Sequence, residues 1–233
     1  MEIPGHRMRR TCSFLVLGLV TATLFGQSQL SGTIQATGNA TLSVKPDQAT
    51  LDAGVITSGA SAQDAAQQNA TQTTAVLNAI TGVLGAAGTI QTVSYSVTPR
   101  YSNTPNQTPT IIGYTVTNTL RMIIIDLSLL GKLIDAANAA GANNVGNLNF
   151  GLQDPEPTVQ KALGQASKQA MAHVSAIAGG LGAKTGAIVS AQQASAYAPL
   201  TISGTLSAGA TTPVQTGTVN VYATVTVSVQ LAQ

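Results

Sequence analysis

Apolar and polar residues alternate without a break from Val219 to Leu231. Val219, Val221, Ala223, Val225, Val227, Val229 and Leu231 fall on one side, and Asn220, Tyr222, Thr224, Thr226, Ser228 and Gln230 on the other. This period of two predicts a long strand with one buried face. The same pattern opens the chain. Ile34, Ala36, Ala40, Leu42 and Val44 share a side, interrupted at Gly38, and Lys45-Pro46-Asp47 supplies a turn. Leu51, Ala53 and Val55 continue as a second strand. Segments 89–101 and 110–125 read as a strand pair joined by the Pro-, Asn- and Thr-rich loop from Ser102 to Pro109. Met122-Ile123-Ile124-Ile125 is apolar on both sides, which predicts that both faces are covered there.

Three segments have helical period. The first starts at Ser61, with Asp64 three residues on as an approximate capping box. Its stripe is Ala66, Ala70, Thr73, Val76, Leu77, Ile80 and Leu84. The second follows Asp126 as N-cap, carries Leu130, Leu133, Ile134 and Ala137, and stops at Gly141. The third begins at Asp154-Pro155-Glu156, where Pro and negative charge suit a helix start. Val159, Leu163, Ala166, Ala170, Val174, Ile177 and Leu181 form its stripe, and Gly179, Gly180 and Gly182 end it. The order is ββαββαβαββ. It predicts an α+β fold, with antiparallel sheet or sheets, long hairpins and about three helices packed on one face. The helix-bearing halves suggest two sub-lobes but share too little residue identity to define a repeat. The Ser-, Thr-, Gly- and Ala-rich segment 199–217 reads as a loop or mobile excursion.

Residues 1–28 read as a secretory signal peptide. Arg7, Arg9 and Arg10 precede an apolar run from Ser13 to Phe25, too short to span a bilayer, with a cut expected before Gln29. Residues 29–233 are then the exported domain, in the periplasm, cell envelope or medium. Cys12, the one cysteine, precedes the apolar run, whereas a lipid-modified cysteine would follow it. Removing the signal takes three of ten basic residues and one of eight acidic ones, which leaves seven of each. The exported chain has no net charge and no cysteine, and charged residues make up only 8% of the whole sequence. That composition excludes a disulfide scaffold and a cysteine metal cluster, and gives no basic surplus for nucleic acid. A neutral, sparsely charged surface favours association.

Certain stretches are similar to a known family. Gly32-Thr33-Ile34-Gln35-Ala36-Thr37-Gly38 and Leu42-Ser43-Val44-Lys45-Pro46-Asp47-Gln48-Ala49 resemble the opening of SIMPL-domain proteins, which include bacterial periplasmic immunogenic, outer-membrane-antigen-like proteins. Gly113-Tyr114-Thr115-Val116-Thr117-Asn118, Leu133-Ile134-Asp135-Ala136-Ala137, Gly141-Ala142-Asn143, Phe150-Gly151-Leu152 and Asp154-Pro155 follow in matching order, so the resemblance spans about residues 30 to 232. It implies an exported α+β domain without established catalytic residues. Some relatives are linked to oxidative-stress tolerance, and some to large ring-like or channel-like homo-oligomers. The third helix carries only Glu156, Lys161 and Lys168 where relatives are richer in charge, which weakens any role for salt-bridged subunit contacts.

Chemistry is sparse. His173 is the one histidine after the signal, beside the apolar stripe of the third helix, and no G-x-S-x-G pattern accompanies it. It reads as a helix-boundary residue. One histidine and no cysteine do not make a zinc set. Asp154 and Glu156 are a close acidic pair whose position suits a helix start better than Ca²⁺. Asp47 is a turn residue. Gly179-Gly180-x-Gly182 follows a helix, whereas a phosphate loop precedes one. The N-x-T triplets at Asn39, Asn69 and Asn106 read as chance. Tyr95, Tyr101, Tyr114, Tyr197 and Tyr222 read as sheet-surface residues before a groove lining. No catalytic, metal-binding or cofactor-binding residue is assigned.

Three functions remain in competition. The first is a non-enzymatic envelope protein that works by protein–protein association, as a homo-oligomer or with envelope partners. The second is a small-molecule carrier or enzyme with an unrecognised site. The third is a subunit of a pore-like assembly. A transmembrane barrel is disfavoured, since five Tyr, one Phe and no Trp remain to build aromatic girdles.

Overall fold

The computed structural model describes residues 32–102, 105, 108–198, 200–202 and 214–232. The expected signal peptide and its cut site lie outside these residues, as does most of 199–217. In chain order the described elements are β1 (Thr33–Val44), β2 (Gln48–Gly59), α1 (Ala62–Leu84), β3 (Gly88–Tyr101) and β4 (Ile111–Ile124). A 3₁₀ turn (Leu127–Leu129) leads into α2 (Leu130–Ala139), β5 (Asn144–Gly151), α3 (Glu156–Gly180), β6 (Lys184–Ala198), β7 (Leu200–Ile202) and β8 (Val219–Ala232). The α+β class stands. Part of the segment expected as a loop is instead the short strand β7.

The strands form two antiparallel sheets. One has the order β1-β8-β6 and the other β3-β4-β2-β5-β7. The helices divide between them. α3 packs on β1, β8 and β6, while α1 packs on β2, β4 and β3 and touches α2. Each sheet has its own core. The five-stranded sheet buries large side chains, among them Leu51, Val55, Ile80, Met122, Leu133 and Phe150. The three-stranded sheet buries Val221, Val225, Val227 and Val229 against Ala162, Ala166, Ala170, Val174 and Ala178 of α3. Alanines let this helix lie close to its sheet. At Gly38 the approach is closest, since a Cβ there would overlap the Ala166 carbonyl and the Ala170 amide nitrogen. The glycine that breaks the β1 pattern is therefore the place where helix backbone meets strand backbone.

The helix starts follow the sequence. Ser61 Oγ accepts from the Asp64 amide at 3.1 Å and donates to the Asp64 carboxylate at 2.7 Å. Asp126 accepts from the Ser128 amide and hydroxyl. Asp154 accepts from the Glu156 amide at 3.1 Å. Two of the stripes are rotated. α1 buries Ala65 and Asn69, not Ala66 and Ala70, and Leu77 is exposed. α3 buries Ala162 and Ala178 and leaves Ile177 and Leu181 exposed. Met122 and Ile124 are buried, but Ile125 is exposed, so one face of that run is open.

Candidate functional site

The one described histidine is engaged in holding the fold. His173 sits on α3 with Nδ1 2.9 Å from the Thr37 carbonyl oxygen. A carbonyl only accepts, so Nδ1 carries the hydrogen. One helical turn earlier, Gln169 Oε1 accepts from the Asn39 amide at 2.5 Å. Thr37 and Asn39 are two apart on β1, an edge strand, so both bonds cap the middle of its free edge. This is more specific than the helix-boundary role expected of His173. Asp47 ties the β1–β2 turn to the segment after β5, accepting from the Gln153 amide at 2.7 Å. Among the described residues no three His, Cys, Asp or Glu gather as a metal set.

A two-bonded ion pair links β2 to β4. Asp52 on β2 faces Arg121 directly across the β2–β4 ladder. The guanidinium Nε and Nη2 donate to the two carboxylate oxygens at 2.7 and 2.8 Å. Asn147 Nδ2 adds a third bond at 3.1 Å. Its placement comes from backbone shape. β5 bulges where it passes Thr50 and Asp52, and Asn147 takes a φ of 53°, which Asn tolerates better than most residues. Burial pushes the Asp52 carboxyl up, but the bonds from Arg121 and Asn147 and the Arg121 charge outweigh it, so its pKa lies below the usual value. Arg121 is raised in turn by the bond to Asp52.

The folded form therefore holds the Asp52 proton more weakly than the unfolded chain. The pair's stabilisation is complete above the ordinary Asp range and disappears as pH falls through the lower folded value. Asp52→Asn should cost about 1–3 kcal/mol at pH 7, held down by the half-exposed Arg121. In urea titrations, its deficit against the parent should shrink as pH drops below about 4. A deficit that stays constant to pH 3 would contradict this assignment.

Asn69 is fully buried on the core side of α1. Its Nδ2 donates to the Val55 carbonyl at 2.8 Å and to the Val116 carbonyl at 3.3 Å, and its Oδ1 accepts from Thr73 at 3.2 Å. One amide thus joins α1 to two strands, and the Asn of its N-x-T triplet is sealed inside. The four tyrosines whose side chains are described are spread over both sheets. Tyr95 and Tyr101 are exposed on β3, Tyr114 is partly buried on β4, and Tyr222 is exposed in the other sheet. Shallow depressions are present. One of about 340 Å³ lies along β2 and β5 beside Gln48, Thr50, Asn149 and Leu152. Another of about 250 Å³ lies between α3 and β6, beside Leu163, Ser167 and Gln193.

The larger feature is the pair of sheet edges β3 and β6. They are 14 and 15 residues long, and carry one charge each, Arg100 and Lys184. Most of β3 and the first eleven residues of β6 are exposed. On the side away from the helices, Thr115, Thr117 and Thr119 lie opposite Thr98, Ser96 and Ser94, an uncharged row of hydroxyls.

The profile of one protein family, SIMPL, described as a protein of unknown function (DUF541), matches residues 34–229, from β1 to near the end of β8. The chain belongs to the SIMPL family. It is similar to the 26 kDa periplasmic immunogenic proteins of Brucella melitensis and Brucella abortus. Each is 26% identical over 185 residues, covering 76% of this chain and 74% of the relative.

In this SIMPL chain the stretches that carry the resemblance are structural junctions. Gly141 holds a φ of 107° beneath Gln72, whose Nε2 donates to its carbonyl at 2.7 Å. Asn143 imitates a strand residue, accepting from the Ile56 amide at 2.8 Å and donating to the Ile56 carbonyl at 2.7 Å. Gly151 accepts from the Asp47 amide at 3.1 Å. No described helix is long and apolar enough to cross a membrane.

Proposed function

We propose that this SIMPL protein is exported to the periplasm, loses residues 1–28, and works without catalysis by binding protein surfaces, with a second copy of itself as the first partner. The observation that carries the reading is the contrast between polar groups and edges. His173, Gln169, Asp52, Arg121 and Asn69 are taken up by bonds that hold elements together. β3 and β6 are long, largely exposed where their side chains are described, and almost uncharged, with one side of each unpaired among the described residues. Unpaired strand edges are templates for further strands. The periplasmic placement is supported by the names of the two Brucella relatives and by the N-terminal pattern.

Chemical cross-linking in intact bacteria tests the reading. The expected result is a ladder at multiples of one exported chain, in the periplasmic fraction, whose N-terminal residue is Gln29. A single-chain band at every cross-linker dose would overturn association. A chain retained in the cytoplasm would overturn export.

A further inference from the structure

The two sheets have four edges, β1, β6, β3 and β7, and they are not equally open. β1 is capped at its centre by Gln169 and His173. β7 is three residues long. β6 has two irregularities between Thr185 and Ser190, which bend a strand and blunt its edge. Beyond them, Ala191, Gln192 and Gln193 offer a neighbour little apolar surface. β3 differs. It bulges at Val93 and meets Pro99, and between them Ser94 to Thr98 pair regularly with β4. Tyr95 and Val97, on the helix side of that stretch, are 56% and 42% exposed. β6 exposes Ile188 and Val189 as well, but they lie within its irregular stretch. Among the described residues, exposed large apolar side chains on a regularly paired stretch of open edge are found on β3.

We propose that β3 joins β3 of a second copy in antiparallel register about a twofold axis through Ser96. This rests on the association reading and names the surface it uses. The register follows from the ends of the regular stretch. A bulge and a proline both interrupt pairing. The register that keeps both stretches whole sets Ser94 against the partner's Thr98, Tyr95 against the partner's Val97, and Ser96 against the partner's Ser96. It makes two aromatic–β-branched pairs on the helix side and hydroxyl pairs on the other, both favourable across strands. Arg100 falls outside the stretch, so no like charges meet. The surface is self-complementary, as a twofold interface requires. The two five-stranded sheets become one continuous sheet, and β6 stays free.

Cysteine cross-linking tests this on the exported protein, which on this reading has lost Cys12 with the signal, and the unsubstituted chain is the background control. Ser96 at the axis faces its own copy at a separation a disulfide spans. Ser96→Cys should give most of the protein as a reducible dimer under mild oxidation. Ser94→Cys and Thr98→Cys should each stay single, yet dimerise when mixed. Gln192→Cys, on β6, should stay single alone and with Ser96→Cys. Val97→Lys should keep its circular dichroism and lower the light-scattering mass at least twofold. Cross-linking through Gln192→Cys in place of Ser96→Cys, with a parent mass above one chain, would overturn the β3 junction and leave association standing. A parent mass of one chain, with neither cysteine cross-linking, would overturn both.

Discussion

Gly38→Val should unfold the three-stranded half of the protein, with a loss of about 4 kcal/mol or more. The reason is backbone against backbone. A Cβ at this position would overlap the Ala166 carbonyl and the Ala170 amide nitrogen of α3. Neither is the end of a flexible side chain, so the helix must lift from the sheet. Lifting it exposes a core with few large residues to spare, since four of the five buried α3 positions are alanine. It also breaks the caps from Gln169 and His173, which sit on either side of Gly38 and free the β1 edge when lost. Thermal unfolding should show a drop of roughly 10 °C or more, with aggregation on heating. Gly164→Ala in the same helix is the control. Nothing lies within 4 Å of its Cβ, so it should gain up to about 1 kcal/mol from helix propensity. A Gly38→Val protein as stable as the parent would show that α3 does not approach β1 as described.

Asn69→Ala should cost about 2–4 kcal/mol, the second largest loss. The side chain is fully buried and bonds Val55, Val116 and Thr73. Removal leaves two strand carbonyls under α1 without this donor and opens a small cavity. Asn69→Leu fills the space but restores none of the amide's three bonds, so it should recover little. Thr73→Val removes the hydroxyl bond alone and should cost about 1 kcal/mol. Urea midpoints measure all three. If Asn69→Leu matched the parent, the amide bonds would carry no stability and the site would be ordinary packing.

The elements could be read from residue pattern because most of it is local. β8 alternates across its length with large Val residues on one side, and the structure buries that side. α2 also follows the pattern, because Leu130, Leu133, Ile134 and Ala137 leave one choice of face. α1 and α3 do not, since alanine fits either inside or outside. In α1 the decision falls to Asn69, whose burial is fixed by carbonyls on β2 and β4, 14 and 47 positions away. The division into two sheets is equally non-local. β1 pairs with β8, so Thr33 faces Gln230, and no short-range pattern records that pairing. β7 was missed because three residues carry no period.

His173 reads from sequence as a helix-boundary residue, and the partner it holds is not legible there. Thr37 is 136 positions away, and a backbone carbonyl has no sequence signature. Asp52 and Arg121 each stand between apolar neighbours in the sequence. A lone acid between Leu51 and Ala53 and a lone base between Leu120 and Met122 were a usable signal, because charge on one face of a strand mostly buried on the other seeks its opposite across the ladder. The open edge at β3 follows from tertiary structure alone. Its sequence resembles that of any exposed strand, and only the position of α1 leaves Tyr95 and Val97 uncovered.

Self-association is the central claim, and the solution mass of the exported chain tests it most directly. Light scattering after size exclusion, over about a hundredfold range of concentration, should give a mass that is a whole-number multiple of one chain and is reduced by Val97→Lys. The mass of one chain at every concentration would contradict the account.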